Sequence, residues 1–193
     1  MVKSWLSLPD LDFRKEVVKL IQEGRAQEAI DMLVKYYELP RPIRVVKPED
    51  LLKAESPCLY GFQGIAFEFP ERDKLAQKYP DEWERHVKLW ISFGIKPPPI
   101  TRIGWVISPK MQLEPELEET CPYYIVVSEK YFTEPPVFLH EFHHIHLEIL
   151  GEEKGLIMKE LFEMATAFSD IRTWDPFTRS FLIGTGYFLK RKR

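Results

Sequence analysis

The sequence predicts an α+β fold in which a small sheet packs against several helices. Apolar residues recur at helical spacing in residues 11–38, 74–93 and 135–150. Two short runs at residues 103–107 and 123–127 are instead rich in β-branched and aromatic side chains, as is typical of strands. With 193 residues, of which 45% are hydrophobic, the chain is long enough to bury one core.

The sequence predicts a single domain that spans residues 1–193, in which residues 1–55 form a helical annex. Apolar spacing predicts a hairpin of two helices within residues 11–38, and Gly24 between them is a suitable helix stop. A short strand is expected to follow at Ile43–Val46.

The middle of the chain has weaker patterns. Residues 59–69 alternate weakly between polar and apolar side chains, which favours a strand pair or an extended segment. Residues 74–93 predict one amphipathic helix, and three consecutive prolines at 97–99 then require a rigid, non-helical connector. The two strand candidates come after it.

Charge and hydropathy argue against two classes of partner. The net charge of −3 provides no overall attraction to nucleic acid or to an anionic membrane. No apolar run approaches the roughly 20 residues that span a bilayer, and the N-terminal residues lack the apolar core of a signal peptide. We therefore expect a cytoplasmic protein that binds neither nucleic acid nor membrane.

Composition also suggests a thermophilic source. The chain has no asparagine, 16 prolines and 30% charged residues, a bias that is typical of proteins that work at high temperature. A melting midpoint in the ordinary mesophilic range would contradict this hypothesis.

The two cysteines, Cys58 and Cys121, lack the spacing of a zinc knuckle. Buried free thiols are the simplest expectation. Two alternatives remain open: a disulfide, which some hyperthermophiles form inside the cell, and an inhibitory thiolate from Cys58 on an active-site metal.

The strongest signal is an H-E-x-x-H motif formed by His140, Glu141 and His144. Thr133 is a candidate cap for its helix, Pro135 and Pro136 suit the first turn, and Gly151 suits the stop. Residues four apart lie on one face of a helix, so the two imidazoles can hold one metal ion. The adjacent Glu141 is placed to take a proton from a water molecule.

A hydrolytic zinc site usually has three protein ligands, so a third is needed. A second helix is predicted at about residues 154–172, and it carries Glu160 and Glu163, which lie 16 and 19 residues after His144. Either carboxylate can return to the motif in a helix–turn–helix arrangement.

An H-E-x-x-H motif followed about twenty residues later by a helical glutamate resembles the gluzincin branch of the zincin metallopeptidases. Residues 125–141 resemble the strand–loop–helix segment that leads into the active-site helix of small zincins. The sequence EMATAF at residues 163–168 is similar to the E-x-A-x-x-F pattern of minimal archaeal gluzincins and ImmA-type peptidases. The resemblance covers about residues 103–172.

This resemblance implies a zincin-like fold. Its small twisted sheet would pack on the motif helix and on a glutamate-bearing helix, within a metallopeptidase core of residues 100–175. It implies Zn²⁺ as cofactor, with His140, His144 and Glu163 as ligands and Glu141 as general base; Glu160 is the rival third ligand.

Three further site roles have candidate residues. Thermolysin-like enzymes place an aspartate four residues after the ligand glutamate, but here Ala167 stands there, so Asp170 is the candidate to orient a histidine. Residues 123–127 are a candidate sheet edge for an extended peptide. The candidates for stabilising an oxyanion, which the sequence does not rank, are Tyr123, Tyr124, Tyr187 and His86.

The expected function is therefore a zinc-dependent endopeptidase acting on a peptide or protein substrate. The alternative is a metal-binding regulator that keeps the scaffold without hydrolysing peptides. A further hypothesis is a latent enzyme, with the N-terminal hairpin or the aromatic C-terminal segment covering the cleft. His143 and His146 are expected to be structural, with a second metal ion as the alternative for His143.

Overall fold

The computed structural model describes residues 1–152 and 174–187. In chain order, the helices and strands in these ranges are α1 (Leu11–Gln22), α2 (Ala26–Tyr37), β1 (Ile43–Val46), α3 (Pro48–Lys53), α4 (Pro57–Tyr60), α5 (Arg72–Lys78), α6 (Pro80–Ser92), β2 (Gly104–Ile107), α7 (Pro115–Thr120), β3 (Tyr123–Val127), α8 (Pro135–Leu150) and α9 (Pro176–Leu182). Short 3₁₀ segments cover Gln63–Glu68, Pro109–Met111 and Glu129–Tyr131. The predicted α+β class is confirmed.

The described strands form one sheet in the order β1-β3-β2. β1 pairs with β3 in parallel, and β2 pairs with β3 in antiparallel orientation, with Gly104 opposite Val127. All five residues of β3 are buried. The prediction that residues 123–127 form a sheet edge is therefore wrong, because β1 and β2 flank this strand on both sides.

The sheet separates two apolar cores, and β3 contributes alternate residues to each. Tyr123, Ile125 and Val127 join the core formed with α1, α2, α8 and α9. Tyr124 and Val126 join the core formed with α3, α4, α5 and the Gln63–Glu68 segment. Successive side chains of a strand point to opposite faces of the sheet. Because a core lies on each face, β3 is buried on both.

The predicted N-terminal hairpin is confirmed as α1 and α2. Gly24 adopts a left-handed φ of 78° between them, a conformation that disfavours residues with a Cβ atom. The hairpin packs on α8: the Tyr37 ring lies 5.8 Å from the Phe142 ring and 4.5 Å from the His146 ring, between centroids. It therefore belongs to the same core as the motif helix.

Two predictions for the middle of the chain are wrong. Residues 59–69 contain the end of α4 and the 3₁₀ segment Gln63–Glu68 instead of strands, and their buried side chains, among them Ala66, Phe67 and Phe69, do not alternate. Residues 74–93 form two helices that meet at Tyr79 and Pro80. The residue before a proline is disfavoured in the helical region, and Tyr79 has φ −129° and ψ 64°.

Cys58 and Cys121 form a disulfide bond. The expectation of free thiols is therefore wrong, and so is the alternative in which a Cys58 thiolate binds an active-site metal. A separation of 63 residues gave no local signal for the pairing. The disulfide joins α4 to the segment that leads into β3.

The motif helix α8 has nearly the predicted bounds. It begins at Pro135 and ends at Leu150, and the following Gly151 adopts a left-handed φ of 72°. Its N-cap residue is Glu134 rather than the predicted Thr133. Because Pro135 and Pro136 carry no N–H group, fewer backbone donors need a cap at this end. Within residues 1–152 and 174–187, no helix is both long and apolar enough to cross a membrane.

Candidate metal centre

The site is built on α8, which is buried on most sides and brings His140 and His144 to one partly exposed face. The two Nε2 atoms lie 3.1 Å apart, and the ring planes are nearly perpendicular at 86°. Two nitrogens bound to a tetrahedral zinc ion at about 2.0–2.1 Å lie roughly 3.3 Å from each other. The spacing and the chemistry of this nitrogen pair therefore fit a zinc ion.

Asp175, which the sequence did not point to, holds the other side of the His140 ring. Its Oδ2 atom lies 3.1 Å from His140 Nδ1, and the aspartate is only 1% exposed. The carboxylate also accepts hydrogen bonds from the backbone N–H and the hydroxyl of Thr178, at 2.9 and 2.6 Å. Asp175 is thus both the N-cap of α9 and a partner of the first motif histidine.

The contact with Asp175 determines which nitrogen of His140 faces the site. Burial opposes ionisation of Asp175, but the hydrogen bond and charge of His140, together with His143 and Thr178, lower its pKa to about 2. An ionised carboxylate accepts the proton on Nδ1, which leaves the lone pair of Nε2 directed toward His144. This is the tautomer that a metal ligand requires.

Glu141 is buried against the sheet. It is 8% exposed, and its carboxylate lies next to Gly104, the first residue of β2. A carboxylate at this position is adjacent in sequence to the first candidate ligand and directed toward the strand at the sheet edge. That is a suitable place for a base that acts on a molecule bound along this strand.

The predicted third ligand, Glu163, its rival Glu160 and the predicted orienting residue Asp170 lie outside the described residues. In the part of the chain that is described, no three His, Cys, Asp or Glu side chains are grouped so as to hold a metal ion. The histidine pair is therefore the described portion of the candidate site.

The four candidate oxyanion donors separate into two groups. The Tyr123 hydroxyl donates to Glu148 at 3.0 Å, and the Tyr187 hydroxyl donates to Glu134 at 2.7 Å. Tyr124 lies in the second core, across the sheet from α8, and His86 packs on Phe67 and Trp90 near that core. The predictions for Tyr124 and His86 are therefore wrong, because the sheet separates them from the motif.

The remaining motif-helix histidines are structural, as predicted. His143 is 2% exposed and stacks on Phe177 with a centroid distance of 4.9 Å. Burial lowers its pKa to about 4, so the ring is neutral at pH 7. His146 Nε2 donates to the carbonyl of Lys3 at 2.7 Å. The alternative of a second metal ion at His143 does not fit an imidazole enclosed by aromatic rings.

The N-terminal residues pack on the opposite side of α8 from His140, His144 and Glu141. The Lys3 carbonyl binds His146, and the Trp5 ring packs in a T-shaped arrangement with the His143 ring, at 5.3 Å between centroids. The hairpin that follows contacts Phe142 and His146. The prediction that the hairpin covers the cleft is wrong, because its apolar face is used to form the core behind the motif helix.

Comparison with models of known protein families, with curated proteins and with solved structures finds no match. The motif and its geometry are the features of the molecule that point to a function.

Proposed function

We propose that the protein is a zinc-dependent metallopeptidase of the gluzincin type. The observation that carries the proposal is the chain of contacts from the buried Asp175 to His140 and on to His144. Carboxylate–histidine pairs of this kind orient metal ligands and raise their basicity. A histidine pair with no metal role would not need a buried, ionised partner aimed at its far nitrogen.

The order of the elements supports a zincin-like fold. β3 leads through the short 3₁₀ segment Glu129–Tyr131 directly into α8, and β2 lies antiparallel at one edge of the sheet. This is the strand–loop–helix arrangement that the sequence resemblance implies. The proposed glutamate-bearing helix would complete the site from residues beyond Glu152.

His140, His144 and Glu163 would hold the zinc ion, with Glu160 as the rival for the third position. When bound, zinc polarises an amide carbonyl and lowers the pKa of a water molecule. Glu141 accepts a proton from the attacking water on its carboxylate and transfers that proton to the departing amine nitrogen. Asp175 holds His140 in the required tautomer throughout.

β2 is the proposed place where the substrate binds. In the described part of the chain, no strand pairs with the outer edge of β2. An extended peptide adds to such an edge through main-chain hydrogen bonds. Because Glu141 lies beside Gly104, a peptide on this edge would have its backbone near the base.

We also propose a cytoplasmic location in a hyperthermophilic source. Disulfides are rare in the cytoplasm of mesophiles, but they are frequent inside cells of hyperthermophiles. The Cys58–Cys121 bond and the absence of asparagine are therefore both expected of a cytoplasmic protein from such a source. A melting midpoint above roughly 90 °C is expected for such a protein; a midpoint of 45–65 °C, which is typical of mesophiles, would refute it.

The test of the function is metal analysis of the purified protein, followed by digestion of a peptide library. We expect about one zinc per chain, lost in the His144→Ala and Glu163→Ala variants and retained in a matched His146→Ala variant, and we expect cleavage of peptides by the wild type. Loss of zinc from Glu160→Ala but not from Glu163→Ala would assign the third ligand to Glu160. Zinc binding with no cleavage of any peptide would indicate a metal-binding regulator.

A further inference from the structure

The contact between β2 and Glu141 is possible only because residue 104 has no side chain. A Cβ atom at Gly104 would lie 2.6 Å from Glu141 Oε1, 3.0 Å from Glu141 Cγ and 3.0 Å from Val137 Cγ1. The first distance is shorter than real Cβ atoms show, and the other two are tighter than nine in ten real Cβ contacts. The carboxylate of the candidate base therefore occupies the space that any other residue at position 104 would fill.

The backbone does not explain this glycine. Its φ is not positive, unlike those of Gly24 and Gly151, so an L-residue could adopt the same conformation. At the first position of β2, a glycine also adds no side-chain packing and increases the entropy lost on folding. The space beside Glu141 is the remaining physical reason for it.

β2 is held in place at both ends, so the strand cannot move back to admit a larger residue. Before Gly104, the carbonyl of Ile103 accepts a hydrogen bond from the Ser128 N–H at 2.9 Å. After β2, the Ser108 hydroxyl donates to Glu148 of α8 at 2.5 Å, and both of these side chains are buried. A side chain at position 104 would instead displace the carboxylate of Glu141, which is the more flexible partner.

We infer that Gly104 is a positioning residue that fixes the Glu141 carboxylate between α8 and the edge strand. The inference rests on the proposed function, in which that carboxylate is the general base. It adds a specific requirement: the strand proposed to hold the substrate also determines where the base lies. The base and the substrate backbone would then keep a constant separation.

The first test uses thermal unfolding and does not depend on activity. Gly104→Ala should lower the melting midpoint by roughly 3–10 °C, because overpacking of a filled site is destabilising. In a Glu141→Ala background, the same substitution should lower the midpoint by less than half as much, since two of the three close atoms are gone. Gly61→Ala is the matched control, because a Cβ atom there meets nothing within 4 Å.

The second test measures zinc content and steady-state kinetics of the Gly104→Ala variant. We expect zinc to stay near one per chain and KM to change little, while kcat falls by about 100-fold, the cost of misplacing a reacting group by about 1 Å. Gly61→Ala should keep the wild-type kcat.

Two results would overturn the inference. One is an equal fall in melting midpoint in the wild-type and Glu141→Ala backgrounds, which would show that the carboxylate does not need the space. The other is an unchanged kcat in zinc-loaded Gly104→Ala. A wild type that cleaves no peptide would refute the proposed function instead, and the unfolding comparison would still decide whether Gly104 fixes Glu141.

Discussion

Histidines lie on two sides of α8, but their surroundings differ. On one side, His140 and His144 bring their Nε2 atoms together, and a buried aspartate orients the first ring. On the other side, His143 and His146 are enclosed by Phe177, Tyr37 and the N-terminal residues. Four histidines in seven positions therefore divide into a polar pair and a packed pair.

This difference shows that the neighbours of a histidine, more than its place in a motif, determine its chemistry. Asp175 lies 3.1 Å from His140 but 4.0 Å from His143, so one carboxylate contacts one ring closely and the other only loosely. For His143, burial outweighs the attraction of Asp175, and its pKa is lowered. The following predictions test whether the two sides can be separated by experiment.

The largest expected effect is the loss of peptidase activity in Glu141→Gln. The amide cannot accept the proton, so we expect activity to fall by about 10²–10⁴-fold, or roughly 3–5 kcal/mol in the activation barrier. Zinc content should be unchanged, because Glu141 is not a proposed ligand. The measurement is the initial rate of peptide cleavage with parallel metal analysis.

Glu148→Gln is the matched control for that variant. Glu148 lies one turn beyond His144 and is also buried, but it accepts hydrogen bonds from Ser108 and Tyr123 instead of facing the proposed substrate. The amide oxygen of glutamine still accepts the Ser108 hydrogen bond that holds β2, so near wild-type activity is expected at a temperature where the variant is folded. Equal loss in both variants would show that activity depends on the packing of α8 and not on a specific base.

The polar side of α8 was the part most open to prediction from sequence, because its signals are local. The spacing of His140 and His144, the two prolines and Gly151 all act within one helix. The strands at 103–107 and 123–127 were similarly clear from their side chains. The helix cap lies one residue later than predicted, β2 begins one residue later than predicted, and β3 is central in the sheet instead of at its edge.

The partners of α8 could not be predicted, because they depend on long-range packing. Asp175 reaches His140 through the position of α9, and Arg14 of α1 binds the carbonyls of Ser180, Phe181 and Ile183 at the end of that helix. Asp175 before Pro176 is a recognisable helix start, but nothing local connects it to a histidine 35 residues earlier. The disulfide escaped prediction for the same reason.

A smaller effect is expected on the packed side, where His143 should make stability depend on pH. Its pKa is about 4 in the folded protein and about 6.5 when unfolded, so the unfolded chain takes up the proton first as the pH falls. The contribution of His143 to the free energy of unfolding is fully present above pH 6.5. It decreases between pH 6.5 and 4, by roughly 3 kcal/mol in total.

His143→Phe should remove this pH dependence, because phenylalanine does not titrate and can still stack on Phe177. The comparison is made in a His144→Ala background, so that release of zinc at low pH does not contribute. Denaturant unfolding at several pH values gives the free energies. Parallel curves for the two proteins would show that His143 is not kept neutral by its surroundings.

The smallest expected effect is a change in zinc affinity in Asp175→Asn. Asparagine keeps the N-cap of α9, but it is neutral and does not raise the basicity of His140, so affinity should fall by about 10–100-fold, or roughly 1.4–2.8 kcal/mol. A competition titration with a chelator measures this change. Asp10→Asn is the control, because Asp10 caps α1 through the same type of bond to Phe13 but does not contact the motif. If the two variants bind zinc equally well, Asp175 is only a helix cap, and the two sides of α8 differ less in chemistry than their contacts indicate.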